Sequence, residues 1–450
     1  MTGRLLLRGA QIVSMDDDIG DLVGDILIEG TRISAVAERL DGTDAEVIDG
    51  TGMIAIPGMI DTHRHTWQSA VRHSYADMDP ARYFAEMLVG IGASYQPDDV
   101  HIGNKLGAAA AVSAGTTTLV DWSHIQNTPA HSDAAIAGLK EAGIRAVFAH
   151  GWPLLTDDRW TNRSELGHPD DIRRLRSEYF ASDDQLLTLA MAARGPEMAA
   201  QDTWVADLRL ARDLGIRTTV HVGAYPHNAP HRAVAQYAGL GLLGDDMTFV
   251  HCSRSHDDEF AMIADAGATV SLGVHCELNS QGMGDIPLDK LLARGIRPSL
   301  SGDTETKCSG DMFTQMRMLY AYHRSWMGGG HSAVDGVPEL RVRDLLEFAT
   351  VQGARAIGMS DKIGSLTPGK QADIVLLRAG DLNLGPVTNP VYSIVLAAHE
   401  GNVDTVFVAG RVVKRDGHLT DIVPAALMDS ARRSQQQILA RNRPPARQRA

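Results

Sequence analysis

The chain has 450 residues, 44% of them hydrophobic and 22% charged, which suits a water-soluble fold with a sizeable core. Lys and Arg number 42 against 56 Asp and Glu, a net charge of −14, and no basic run is long enough to follow a phosphate backbone. Nucleic acid is thereby excluded as a partner, except as a small base-like ligand. Three widely spaced cysteines, Cys252, Cys276 and Cys308, argue against a disulfide scaffold and fit a reducing cytoplasm. The apolar part of "TGRLLLRGAQIVSMDDD" is too short for a secretory signal, and no stretch is long enough to span a membrane. A cytoplasmic location with no membrane partner is expected.

Residues 1–57 read as short strands: "RLLLRGAQIVSM", "GDILIEGTRISAVA" and "AEVIDGTGMIAIPG" are rich in β-branched residues and broken by Gly and Asp. The middle, 58–360, alternates. Apolar runs at 53–62, 115–122, 144–150, 187–193, 216–222, 247–252, 268–273 and 296–302 are separated by helical stretches such as "GNKLGAAAAVSAG" and "SHDDEFAMIADAG". Eight such repeats predict a (β/α)8 barrel of the TIM type. An open doubly wound sheet would alternate in the same way, but no G-x-G-x-x-G follows the first strand. Strand grammar returns in 361–423, in "GKQADIVLLRAG" and "VDTVFVAGRVVKRDG" with nothing helical between. The α/β fold is therefore expected to carry a small β-sandwich built from both termini. Residues 424–450 read as an amphipathic helix with a basic, Pro-containing end.

Barrel chemistry sits at the C-terminal ends of the strands, and polar residues collect there. The first strand ends in His63 and His65, the second in Asp121, Trp122 and His124, the third in His150, the fifth in His221, the sixth in His251 and the eighth in Asp303. In an extended strand residues i and i+2 face one side, so His63 and His65 can grip one ion. Imidazole suits Zn(2+) or Fe(2+), and ligands from other strands would leave an open position for water, which the ion turns into a nucleophile near neutral pH. An H-x-H pair alone is weak among eighteen histidines; the further His and Asp at other strand ends strengthen it.

The segments "IPGMIDTHRHTW", "SLSGDTE", "TVQGARAIGM" and "SLTPGKQADIVLL", with the isolated strand-end His221 and His251, resemble the amidohydrolase superfamily. The nearest branch is that of cytosine deaminases, triazine hydrolases and S-adenosylhomocysteine deaminases, with some similarity to its nitroimidazole nitrohydrolase-like members. The resemblance implies one metal held by His63, His65, His221 and Asp303, with Asp303 also a proton acceptor and His251 contacting water or substrate. It implies hydrolytic substitution on a small nitrogen heterocycle, and a homo-oligomer. One departure stands out. Deaminases of the branch carry H-x-x-E on the fifth strand, whereas "HVGA" places Ala224 at the acid's position. Three readings stay open: Glu277, Glu305, His227 or His124 replaces it; the leaving group is halide or nitrite and needs no proton; or the site has decayed into a binding module.

Other residues are open at this stage. Trp67 is a candidate to stack on a planar ring or pack at the rim, and Gln68 to read a ring nitrogen or to be a loop residue. Trp122, His275, Glu277 and Glu305 join them as candidates for substrate contact. Arg194 reads as an anion binder or a salt-bridged rim residue. Cys252 and Cys276 are expected to pack between barrel and helices.

Overall fold

The computed structural model describes residues 3–77 and 79–442. Eight parallel strands run in sequence order: Met59–Arg64, Thr116–Ser123, Arg145–His150, Leu187–Ala193, Arg217–Val222, Met247–His251, Thr269–Leu272 and Ser299–Leu300. A parallel bridge between Arg64 and Asp303 brings the eighth strand back to the first. Helices such as Pro97–Ser113, Pro129–Ala142, Gln201–Asp213 and Asp257–Ala266 form the crossovers. They begin on proline or acidic turns and stop at positions such as Gly143, whose φ of 69° reverses the chain. Their apolar faces and the outward residues of the strands, among them Leu119, Phe148, Leu189, Val220 and Phe249, make one large core. Inward residues Ile60, Val120, Trp122, Val147, Ala149, Ala190 and Ala192 fill the barrel itself.

The residues of both termini build a second, mixed sheet. Its nine strands include Arg4–Val13, Asp21–Glu29, Arg32–Ala37, Met53–Pro57, Ile374–Arg378 and Val403–Val408. Hydrogen bonding is continuous through all nine, around a separate core of Leu7, Ile12, Ile26, Ile28, Ile374 and Phe407. The apolar run at 53–62 is two strands rather than one. Met53–Pro57 pairs with Ile374–Arg378 of the terminal sheet, and Met59–Arg64 opens the barrel. The chain crosses at Gly58, where a Cβ would sit 2.0 Å from Thr117 Oγ1. A helix, Pro390–Leu396, stands between the last two strand runs, where the sequence suggested none. The Pro424–Arg441 helix packs on Pro97–Ser113, with Ser434 donating to Asp99 at 2.6 Å. The basic end, 443–450, lies outside the described residues. Among the described residues no helix is long and apolar enough to cross a membrane.

Barrel and sheet are joined by a buried ion pair. Arg145, at the start of the third barrel strand, holds Asp373 through two bonds of 3.0 and 3.1 Å, and Asp373 also accepts from Ala409 N at 2.7 Å. Removing one partner of such a pair strands a buried charge. Asp373→Ala is expected to lower stability by about 3–5 kcal/mol in denaturant melts, and a loss below 1 kcal/mol would refute the pair's importance. The third strand also ends in His150, which faces outward and shares a 2.9 Å bond with buried His168. Burial pushes His150 down to about 4 and holds His168 well below its ordinary value. Both stay neutral in the folded chain while the unfolded chain protonates them below about pH 6.5. Stability is thus full above that pH and falls as pH drops from 6.5 towards 4, by about 1.4 kcal/mol per pH unit per group. His150→Gln should flatten that slope by about one proton; an unchanged slope would contradict the assignment.

Candidate active site

The first barrel strand carries one extra residue. Its pairing with the second strand steps from Asp61–Leu119 to Arg64–Asp121, three residues against two, a β-bulge. Ile60 and Thr62 face the interior, so strict alternation would send Arg64 there as well. The bulge turns His63 and His65 inward and leaves Arg64 outside, 2.7 Å from Asp61. Left-handed backbone does the same work elsewhere. His251, Cys252 and Asp303 have φ of 74°, 57° and 52°, a strain of about 1–3 kcal/mol each for side chains of this kind. Asp303 N donates to His63 O at 2.9 Å and His65 N to Asp303 O at 2.8 Å, which locks the two strand ends in register.

The side chains so aimed converge. His63 Nε2 lies 3.1 Å from His221 Nε2 and 3.4 Å from Asp303 Oδ1; His65 Nε2 is 3.5 Å from the same oxygen. A tetrahedral ion with ligands at ~2.1 Å has ligand–ligand edges of ~3.4 Å, so these separations fit one small cation. His65 Nδ1 faces Trp122 O at 3.1 Å, which keeps its proton on Nδ1 and frees Nε2. Burial holds His63, and more strongly His65 and His221, below the ordinary imidazole range, and neutral imidazole is the ligating form. Burial alone would raise Asp303, but the bond to His63 and the imidazoles around it outweigh that and hold the carboxylate well below the usual range. His251 completes the group. Its Nε2 is 4.0 Å from Asp303 Oδ2, and its Nδ1 is 3.1 Å from Glu277 Oε1.

The remaining candidates separate into those beside this centre and those committed elsewhere. Trp122 is fully buried, its ring centroid 4.1 Å from that of His221, and it backs the histidines from beneath. Glu277 is buried and raised by that burial; its Oε1 takes His251 and Gly273 N, and its Oε2 has no partner. Trp67 packs in the core at 4.9 Å from Tyr95 with no exposed face, so neither ring stacking nor a rim position fits. Gln68 is buried and bonded to Tyr83 Oη at 2.9 Å and to Thr304 Oγ1 at 2.5 Å. Glu305 is taken by Arg72 at 3.1 Å, by Arg64 at 3.7 Å and by Ser69; despite its burial, these partners hold it below the usual carboxylate value. It is a bound anion and a poor proton donor. His275 Nδ1 accepts from Ser309 N at 3.0 Å and props that loop. His124, 4.4 Å from the His65 ring, is pushed by burial down to about 3, while His227 is exposed and stacks on Tyr225. Arg194 is buried rather than at a rim, paired with Asp207 at 2.6 Å.

Sequence reasoning misplaced one neighbour, Cys276, and missed two, Lys307 and Tyr83. Cys252 lies in the main core as expected, but Cys276 does not, because Val274–Asn279 is a helix rather than a strand. It clusters instead with Ala224, Tyr225, Met283 and Cys308 at the mouth. Lys307 extends into the same corner and Tyr83 lies across from it, with the Lys307 Nζ 5.0 Å from the Tyr83 ring centroid. The spacing of Lys307, four residues beyond Asp303 in "GDTETKCSG", was a usable signal; Tyr83 sits in an aperiodic segment that gave none.

Residues 54–413 match the sequence profile of the amidohydrolase family. A 5'-deoxyadenosine deaminase of Methanothermobacter thermautotrophicus is 28% identical over 436 residues, covering 95% of this chain and 97% of that protein. A 5-methylthioadenosine/S-adenosylhomocysteine deaminase of Symbiobacterium thermophilum is 27% identical, with 92% and 94% covered. Among solved structures, a zinc-bound adenosine deaminase from Xanthomonas campestris superposes with a TM-score of 0.84 at 22% identity, covering 97% of this chain and 98% of that one. Atrazine chlorohydrolase from Arthrobacter aurescens, complexed with zinc, gives 0.83 at 22%, with 96% and 100% covered. With a profile match over most of its length and an eight-stranded barrel beneath it, the chain belongs to the amidohydrolase family.

Proposed function

We propose that this chain is a metal-dependent hydrolase that adds water to an sp2 carbon of a small nitrogen heterocycle and expels a substituent, acting on carbon–nitrogen bonds as the deaminases it resembles are named to do. The observation that carries the reading is the convergence of His63, His65, His221 and Asp303 at 3.1–3.5 Å beside His251. These four would hold one divalent cation, Zn(2+) or Fe(2+), since the donor set accepts either. Bound there, the cation supplies the Lewis acidity that brings water's pKa near neutrality. Asp303 is placed to take the proton of the attacking water. Its Oδ1 faces His63 and His65, and its Oδ2 faces His251. Glu277 fixes His251 through Nδ1, so Nε2 is turned towards the reacting centre, where it can stabilise developing charge. Trp122, fully buried beneath the histidines, screens them from below. Three buried free thiols suit a reducing cytoplasm.

Ala224 favours a second form of the same reaction, in which the substituent leaves as an anion, halide or nitrite, and needs no proton. Of the four candidates to replace the acid, only Glu277 is both buried at the centre and shifted towards its protonated form. Ammonia release, where it occurs, would then depend on Glu277.

Two tests separate these statements. Elemental analysis should find one metal per chain, lost in His63→Ala, and Asp303→Asn should lower kcat on the order of 10²–10⁴-fold; full activity in Asp303→Asn would overturn the assigned base. Across amino-, chloro- and nitro-substituted heterocycles, Glu277→Gln should depress ammonia release more than halide or nitrite release, by about tenfold or more. Equal losses on all leaving groups would show that Glu277 only orients His251.

A further inference from the structure

The mouth contains a buried cation without a carboxylate. Lys307 is 9% exposed, and none of the ion pairs among the described residues includes it. Its ammonium donates to Ser280 Oγ at 2.6 Å and lies 5.0 Å from the Tyr83 ring centroid. An ammonium carries three donors, so hydrogen-bonding capacity remains unspent. Other buried cations of this chain are provided for: Arg64 by Asp61, Arg145 by Asp373 and Arg194 by Asp207. Lys414, the other buried lysine, caps the carbonyl of Ser113 where a helix ends. Lys307 has a serine hydroxyl and a ring face only.

Its surroundings are specific. Asn279 Nδ2 donates to Lys307 O at 3.0 Å, and the preceding residues Glu305 and Thr306 accept backbone bonds from His73 and Tyr75. The segment is thus pinned between the seventh-strand helix and the loop that follows the first strand. Lys307 lies within electrostatic reach of Asp303, Tyr225, Cys276 and Cys308. Tyr225, Cys276 and Cys308 belong to one buried cluster with Ala224. Ala224 retains 8% exposure, so the corner is narrow but open to solvent. Where the deaminase pattern would put a carboxylate, this chain has the methyl group of Ala224, which shares a cluster with Tyr225, Cys276 and Cys308, the groups that also lie within reach of Lys307.

We propose that Lys307, steadied by Ser280 and Tyr83, is the specificity-determining residue of this mouth and receives a small anion: either the departing substituent or an acidic group carried by the heterocycle. A desolvated ammonium with free donors binds such a group through charge-assisted hydrogen bonds, and among the described residues no carboxylate within ion-pair distance competes for it. The inference rests on the hydrolase reading for its catalytic meaning, but its test needs no turnover.

The experiment titrates the full chain, with and without zinc, by calorimetry. Sodium nitrite serves as the leaving-group mimic, nicotinate as a ring bearing its own anion, and nicotinamide as the uncharged ring. The metal-free arm removes zinc as a rival anion site. Lys307→Met should weaken nitrite or nicotinate binding by about tenfold or more with an unchanged melting temperature, whereas Lys307→Arg should stay within about threefold. Loss for nitrite alone assigns the corner to the leaving group, and loss for nicotinate alone assigns it to a substrate acid. The proposal is overturned if the natural chain binds neither anion without zinc, if Lys307→Met binds both unchanged, or if nicotinamide weakens equally with nicotinate. Should heterocycle turnover be absent while Lys307-dependent anion binding persists, the hydrolase reading fails and this one stands.

Discussion

Two backbone hydrogen bonds, Asp303 N to His63 O and His65 N to Asp303 O, tie the last barrel strand to the first at the residues that form the polar centre. Closure of the barrel and assembly of the site are therefore one event. The eighth strand is only two residues long as a ladder, so it adds little pairing of its own, and the lacing beyond it does the closing. That lacing demands a left-handed Asp303 and a bulge between Asp61 and Arg64. The ion pairs of Arg64 with Asp61 and Glu305 hold the bulge from outside. The left-handed backbone at His251, Cys252 and Asp303 thus stores strain where the chemistry is, and the surrounding buried charge network supports it.

The barrel was legible because its signal is repetitive. Eight apolar runs, most of them separated by Ala/Leu-rich helical stretches, leave few alternatives. The split of "MIAIPGMIDT" into two strands was not legible, since both halves are apolar and only the close approach of Gly58 to Thr117 marks the crossing. Chemistry at strand ends was visible by position. His63 and His65 were expected to share a face through simple alternation; they do share one, but by way of the bulge, because Ile60 and Thr62 already occupy the inward phase. Orientation of His251 likewise depends on a left-handed backbone that no period predicts. Residues judged by type alone fared worst. Trp67, Glu305 and His124 are all polar or aromatic and near the centre in sequence, yet tertiary packing commits each to a neighbour that sequence does not disclose.

Charge around the mouth argues for the kind of group that leaves. Glu305 is neutralised by two arginines, so it adds no net negative field. Glu277 is buried with one oxygen unpartnered and its acidity weakened, which favours its neutral form. Asp303 is then the carboxylate that stays charged, and a divalent cation would more than balance it. Lys307 adds a further positive charge that no carboxylate contacts as an ion pair among the described residues. An amine departing from such a centre needs a proton and gains nothing from the field, whereas an anion needs none and is drawn to it. Ala224 brings no negative charge to this balance. One methyl group supplies neither a proton nor a competing carboxylate, and both absences favour the same class of leaving group.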